Sequence, residues 1–318
     1  MKLMKRRKRS GFDPLLGDDD IHQAFEQLEQ GDWSLIDALF EHRRDAWVVS
    51  WLLHSEHTSI PLERFADWAA AAGSPHSLAH YGRAQVTAAA VRHRDAEGDD
   101  AKAKALAYIA ALDEAEATLR AAADLDPSRS EPWVGLMATA MGLRLPRADV
   151  QERFVQVHAR EPFRPDACQQ MLKRMCARSG GGHDEMFEFA RWLQQESPTD
   201  SPCQALLALA HIEFGVSSDG WELEDYLRKP DVAEELKSVM RSYLLGSPEE
   251  GPVRHLQALN LVLMAVVPTD KLSGAIVREA VGRIDGRPTA LPWGYLDDDI
   301  DAAFKATKSQ RMKAANKV

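Results

Sequence analysis

The sequence has no apolar run long enough to cross a bilayer, and it has only three cysteines among 318 residues. Its longest apolar segments, such as residues 261–267, fall far short of the roughly 20 residues that a membrane-spanning helix needs. An odd number of cysteines without CxxC spacing argues against both a disulfide framework and a structural zinc site. We therefore expect a cytoplasmic protein with three reduced, half-buried cysteines: Cys168, Cys176 and Cys203.

Motifs that bind nucleotides or carry out hydrolysis are also missing. The sequence contains no GxxxxGK[ST], no GxGxxG after a strand, no HExxH and no GxSxG. The glycine cluster at residues 180–182 lacks a following lysine and indicates the end of a helix. The acidic triplets at 18–20 and 297–299 lack the ligand spacing of a calcium loop, so we interpret them as helix caps. We predict no cofactor, no metal and no enzymatic activity.

Charge is distributed unevenly along the chain. The net charge is −10, but residues 1–9 carry +6 and residues 305–318 carry +5, which leaves −21 on the body between them. An acidic body repels phosphates, so we do not expect it to bind nucleic acid. We interpret residues 1–17 as a basic, disordered arm and 305–318 as a solvated, disordered basic tail. The alternative is that these tails touch a membrane or RNA.

Hydrophobic periodicity predicts an all-α protein. Apolar residues recur at spacings of three and four, no segment alternates as a β-strand does, and Gly, Pro and Ser separate the segments. Of the eight tryptophans, we expect Trp47, Trp133 and Trp192 to lie in the core. A first helix follows the triplet at 18–20, and further helices are predicted at residues 33–43, 47–53, 62–72, 78–92, 101–125, 131–143, 148–160, 166–179, 184–195, 203–214, 223–228, 232–245, 253–266, 272–284 and within 300–312.

A pattern in the middle of the chain repeats about every 35 residues. It consists of a small or apolar residue, a second one four positions later, a third three positions after that, and a proline five positions further on. These spacings place the first three residues on one helical face, and the proline ends the helix. Two helices per period predict stacked helical hairpins. The three copies are Ala115, Leu119, Ala122 and Pro127; Val150, Phe154, Val157 and Pro162; and Met186, Ala190, Leu193 and Pro198.

This pattern resembles the tetratricopeptide repeat (TPR) family. Trp133 and Leu136 match its first helix, and the copy from Val150 to Pro162 matches its second, although Cys168 stands where the next tryptophan would be. The resemblance implies a right-handed α-solenoid of stacked helical hairpins with a non-repeat C-terminal helical portion. The predicted domains are a helical-repeat domain at 18–216, clearest at 105–215, and an extension at 217–304 packed on the solenoid.

The whole chain also resembles a family of bacterial repeat proteins of unassigned activity. The features that carry this resemblance are a basic start, the Phe12-Asp13-Pro14 entry and an aromatic and acidic closing segment at 293–304. It supports the architecture alone, because a fold does not supply a function.

The TPR resemblance implies a non-enzymatic scaffold or adaptor that binds a protein or peptide segment in the concave groove of the solenoid. Because the body is acidic, a basic partner is expected. The groove positions that the resemblance implies are Glu131, Val134, Ala138, Asp166, Gln169, Lys173 and Glu213.

Two alternatives remain open. The first is an enzyme, or an accessory subunit of one, with a pocket between the repeats and the C-terminal helices. Its side chains are His183 and Glu185 together with His211 and Glu213. A histidine and a carboxylate two residues apart do not share a helical face, so neither pair forms a site alone. The second is that residues 220–318 form a dimerisation module; the oligomeric state is not predicted.

Overall fold

A computed structural model describes residues 12–43, 45–55, 58, 60–95, 101–217, 222–247 and 253–318. Helices account for 77% of the structure, and no strand occurs within these ranges. The predicted all-α fold class is therefore confirmed. Most of the predicted arm, residues 1–11, lies outside the described residues. No helix in the described part of the chain has the length and apolar character needed to cross a membrane.

The chain forms two compact units, which we call the N-terminal unit (Gln23–Phe189) and the C-terminal unit (Ala190–Val318 with the described part of Met1–His22). Some helices of the N-terminal unit start with a side-chain cap or with a proline in the first turn. For example, Ser74 accepts a hydrogen bond from the Ser77 amide at 3.2 Å at the start of one helix. The helices that lie wholly or partly in this unit are α1 (Asp19–Glu29), α2 (Ser34–His42), α3 (Ala46–Leu53), α4 (Leu62–Ala72), α5 (Pro75–Asp95), α6 (Ala101–Leu125), α7 (Glu131–Gly142), α8 (Arg147–Arg160), α9 (Pro165–Met175) and α10 (His183–Glu196).

Helices α5 to α9 pack in a regular order. Helix α5 contacts α6 and α7, while α7 contacts α8 and α9. The predicted prolines each stand two residues after a helix end, that of α6, α8 or α10. All nine residues of the predicted apolar stripes are buried: Ala115, Leu119, Ala122, Val150, Phe154, Val157, Met186, Ala190 and Leu193.

Glycines on α5 and α7 allow α6 to approach these two helices closely. A Cβ atom at Gly135 of α7 would lie 2.4 Å from Leu119 Cδ2, and one at Gly82 of α5 would lie 2.6 Å from Leu119 Cγ. Two turns further along α7, a Cβ atom at Gly142 would lie 2.7 Å from Leu112 Cδ1. Leu119 therefore fills a space between α5 and α7 that only residues without a side chain leave open.

The helices of the C-terminal unit after α10 are α11 (Leu206–Ser217), α12 (Leu223–Leu227), α13 (Pro230–Gly246), α14 (Leu256–Ala265), α15 (Lys271–Ile284), α16 (Ala290–Trp293) and α17 (Ile300–Ala315). The unit is built around the apolar helix α14. Nine of its ten residues are buried, and it contacts α11, α15, α16 and α17. Helix α15 begins at a capping box in which Asp270 accepts from the Ser273 amide at 2.9 Å.

Both acidic triplets cap helices as predicted. Asp18 accepts from the Ile21 amide at 3.1 Å, and Asp299 accepts from the Ala302 amide at 3.0 Å. Carboxylates are favourable there because they satisfy free N–H groups and oppose the positive end of the helix dipole.

The expectation of a disordered tail at 305–318 is wrong, because residues 305–315 belong to α17. The basic residue Arg311 is buried, donates to Glu224 at 3.1 Å and donates to the Met264 carbonyl at 3.2 Å. A buried, paired arginine ties this end of the chain into the C-terminal unit.

Candidate functional site

The predicted groove positions of the N-terminal unit lie on α7 and α9. Val134 and Asp166 are buried, whereas Glu131, Ala138, Gln169 and Lys173 are half-buried. A partner can therefore contact Glu131, Ala138, Gln169 and Lys173 without rearrangement of the unit, but it cannot contact the two buried residues. The remaining predicted position, Glu213, is buried in the C-terminal unit.

Asp166 is held in a buried charge network. Arg164 Nε donates to Asp166 Oδ1 at 2.8 Å, and Arg83 Nη1 of α5 lies 3.5 Å from Asp166 Oδ2. Arg164 also donates to Ser130 Oγ at 2.9 Å and to Glu161 at 2.8 Å. Burial alone would lower the pKa of Arg164, but the charges of Asp166 and Glu161 outweigh it and raise the pKa. Asp166 thus anchors α9 internally and is not offered to a partner.

Helices α2 and α3 cover the face of α5 that carries His76, His80 and Arg83. The Phe40 ring of α2 stacks on His80 with centroids 4.4 Å apart, and Arg83 Nη1 donates to Ser50 Oγ of α3 at 3.4 Å. Helix α3 also contacts α9. Part of the surface that the sequence predicts to be an open groove is therefore occupied by the chain's own apolar helix α3.

Buried His80 of α5 contacts half-buried His54, which directly follows the last residue of α3. His54 Nε2 is 3.0 Å from His80 Nδ1, and His80 stacks between Phe40 and the Trp68 ring, whose centroid is 5.7 Å away. Burial, together with the positive charge of Arg83, lowers the pKa of both histidines well below its usual range. Both rings are therefore neutral, so one nitrogen of the pair donates and the other accepts.

The residues of the alternative pocket are divided between the two units. His183 and Glu185 lie in the N-terminal unit, where Glu185 pairs with Arg147. His211 and Glu213 are buried in the C-terminal unit, where Glu213 accepts from the Tyr295 hydroxyl. Within the described ranges, no group of three or more His, Cys, Asp or Glu residues could hold a metal ion.

His211 belongs to a network that joins four helices of the C-terminal unit. Its Nδ1 lies 2.8 Å from the Tyr226 hydroxyl of α12, and its Nε2 lies 3.0 Å from Glu235 Oε2 of α13. Arg191 of α10 donates to Glu235 Oε1 at 2.7 Å. Burial lowers the pKa of His211, although the Glu235 carboxylate opposes this. These contacts satisfy a buried histidine and hold the helices together.

No protein-family model and no curated protein matches this chain.

Proposed function

We propose that this chain is a non-enzymatic scaffold or adaptor, a TPR-like α-solenoid that binds a protein or peptide segment on the helices of its N-terminal unit. The observation that carries the proposal is the regular packing of α5 to α9, in which α5 contacts α7 and α7 contacts α9. Stacked hairpins whose first helices are neighbours expose an extended surface suited to a peptide or a helix.

The equivalent positions of the three prolines support the same repeat architecture. Pro127, Pro162 and Pro198 close three successive second helices at the same distance from their ends. In a TPR-like stack, each such helix packs beneath the first helix of its hairpin, which agrees with burial of the three apolar stripes.

The proposed contact surface consists of the half-buried residues Glu131 and Ala138 of α7 and Gln169 and Lys173 of α9. The acidic body favours a basic partner. We place the protein in a bacterial cytoplasm, which agrees with three buried cysteines that form no disulfide.

Comparative affinity purification from cell lysate, followed by mass spectrometry, tests this surface. We expect Gln169→Arg to reduce recovery of a partner at least tenfold, because a longer, positively charged side chain opposes a basic segment. Gln151→Arg is the matched control, since Gln151 is exposed on α8 and lies outside the proposed surface. Equal recovery by the wild type and both variants, or no protein specific to the wild type, would contradict the proposal.

The enzyme alternative stays a prediction. It requires His183, Glu185, His211 and Glu213 to act together. The hydrogen bonds of Glu185, His211 and Glu213 described above engage other residues, so we do not propose a reaction.

A further inference from the structure

Helix α17 has a buried side that fixes its position in the C-terminal unit. The buried residues recur at spacings of three and four, which places them on one helical face, and the helix contacts α14, α15 and α16. The cap at Asp299 satisfies the Ala302 amide in its first turn. The other side of α17 is therefore presented to solvent in a defined orientation. The buried residues are Ile300, Ala303, Phe304, Thr307, Arg311 and Ala315.

The basic residues of α17 and of the residues after it lie mostly on this outer side. Residues 302–318 contain five basic residues and no acidic residue. One of the five, Arg311, points into the unit and pairs with Glu224. The other four are lysines, of which three are exposed and one is half-buried. They are Lys305, Lys308, Lys313 and Lys317.

Helical geometry spaces these lysines as a row. At about 1.5 Å per residue, Lys305 and Lys313 are roughly 12 Å apart along the helix axis. The half-buried Lys308 lies between them, with its Nζ 5.6 Å from the centroid of the Phe304 ring. The side chains between the lysines include the exposed residues Ala306 and Ser309, which are small and uncharged. Nothing bulky or acidic on α17 therefore separates one ammonium group from the next.

A neighbouring helix adds to this positive charge. The exposed Arg278 of α15 donates to the Ala315 carbonyl at the end of α17. Asp301, in the first turn of α17, pairs with Lys305 and subtracts one charge. These five basic side chains and one carboxylate have a net charge of +4, in contrast to −10 for the whole chain. We call them the basic face: Lys305, Lys308, Lys313, Lys317, Arg278 and Asp301.

The composition of the basic face favours lipid headgroups over nucleic acid. Nucleic-acid recognition relies on arginine forks, on amides that read base edges and on aromatic rings that stack on bases. The basic face has one arginine, and Phe304, the aromatic residue of α17, is buried. Clusters of four or more basic residues on an amphipathic helix are typical of binding to anionic lipids.

We propose that the basic face docks the protein on an anionic lipid surface, where the lysine ammonium groups donate to headgroup phosphates. The apolar residues of α17 face the core of the unit, so the contact is electrostatic and peripheral. It is therefore reversible and weakened by salt. This surface uses none of the residues of the proposed peptide surface on α7 and α9.

Cosedimentation of the full-length protein with vesicles tests the proposal. Vesicles of phosphatidylcholine with added phosphatidylglycerol are compared with vesicles of phosphatidylcholine alone. We expect binding to the anionic vesicles at least tenfold tighter than to the neutral ones, because each lysine near an anionic surface contributes about fivefold. Binding at about 0.1 M salt should be lost at about 1 M, where the Debye length falls from about 10 Å to about 3 Å.

A double variant tests the location of the contact. Lys313→Gln combined with Lys317→Gln should weaken binding to anionic vesicles at least tenfold, because two positive charges are removed. Both side chains are exposed, so we expect an unchanged circular dichroism spectrum. Lys313→Arg combined with Lys317→Arg keeps the charge and should bind as the wild type does. The matched control is Lys102→Gln with Arg241→Gln, which changes the net charge equally at exposed positions of α6 and α13.

Four results would overturn the proposal. They are no binding to anionic vesicles, equal binding to neutral vesicles, undiminished binding by the Lys313→Gln and Lys317→Gln double variant, and an equal loss of binding in the control pair. A short single-stranded RNA is the second probe. If the wild type binds this RNA through the two lysines but does not bind anionic vesicles, the basic face is a nucleic-acid surface and the lipid proposal is wrong.

Discussion

At the scale of single residues, the side chains on one face of α5 contact other helices of the same unit. Sequence periodicity places His76, His80 and Arg83 on one side of a helix, but it does not reveal that α2 and α3 cover that side. The contact between His54 and His80 joins residues that are 26 positions apart, one directly after the end of α3 and the other within α5. No sequence motif indicates this contact, so the histidine pair could not be predicted from the sequence.

The depth at which each tryptophan is buried also could not be predicted from the sequence. Trp47, Trp133 and Trp192, expected in the core, are half-buried. The fully buried tryptophans among the described residues are Trp68 and Trp293, and Trp293 donates to Asn260 Oδ1 at 2.6 Å. Periodicity predicts which face of a helix is apolar, but the depth of burial depends on which helices pack against that face.

Histidine burial predicts a pH dependence of stability. The pKa of His80 is lowered in the folded protein, mainly by burial and then by the charges of His76 and Arg83, relative to about 6.5 in an unfolded chain. Between these two values the unfolded chain binds more protons, so the stabilisation is present above about pH 6.5 and decreases as pH falls. We expect His80→Phe to reduce the slope of the unfolding free energy against pH by up to about 1.4 kcal/mol per pH unit below pH 6.

Denaturant unfolding at a series of pH values measures this slope. His42→Gln is the control, because the His42 side chain is 79% exposed, and its slope should match that of the wild type. Identical slopes for the wild type and His80→Phe would contradict the neutral, buried state of His80.

At the scale of helices, local sequence signals predicted most of the fold. The stripes and prolines that define α6, α8 and α10 lie where the spacing places them, because both features act within a few residues. The ends of other helices were less predictable. Helix α9 was expected to reach residue 179 but ends at Met175, since Cys176 adopts an extended conformation with φ −62° and ψ 148°. Residues 202–205 form a 3₁₀ turn in place of the predicted first turn of α11.

Close packing between helices predicts the cost of adding a single methyl group. Gly135→Ala should destabilise the protein by about 1–3 kcal/mol, because Leu119 cannot move away from α7 without meeting Gly82 of α5. Combining it with Leu119→Ala should cost less than the sum of the two single changes, since the smaller side chain makes room.

Chemical denaturation of the single and double variants measures this coupling. Gly282→Ala is the matched control: it lies in α15 with nothing within 4 Å of the added Cβ atom, and should stabilise the protein by about 0.5–1 kcal/mol. Additive effects of Gly135→Ala and Leu119→Ala would contradict the packing described here.

For the whole molecule, the division into two units changes how the dimerisation alternative must be tested. Helix α11 packs against α14 within the C-terminal unit. Deleting residues 220–318 would therefore remove most of the core around α11 and expose its apolar residues. Light scattering on the intact chain avoids this difficulty, and dimerisation through 220–318 stays a prediction.

The central claim is that a partner segment binds on α7 and α9 of the N-terminal unit. Hydrogen–deuterium exchange of the full-length protein, with and without the partner recovered in the purification, tests it most directly. We expect slower exchange in peptides from 131–142 and 165–175, and unchanged exchange in 230–246 and 271–284. Protection confined to the C-terminal unit would contradict the claim.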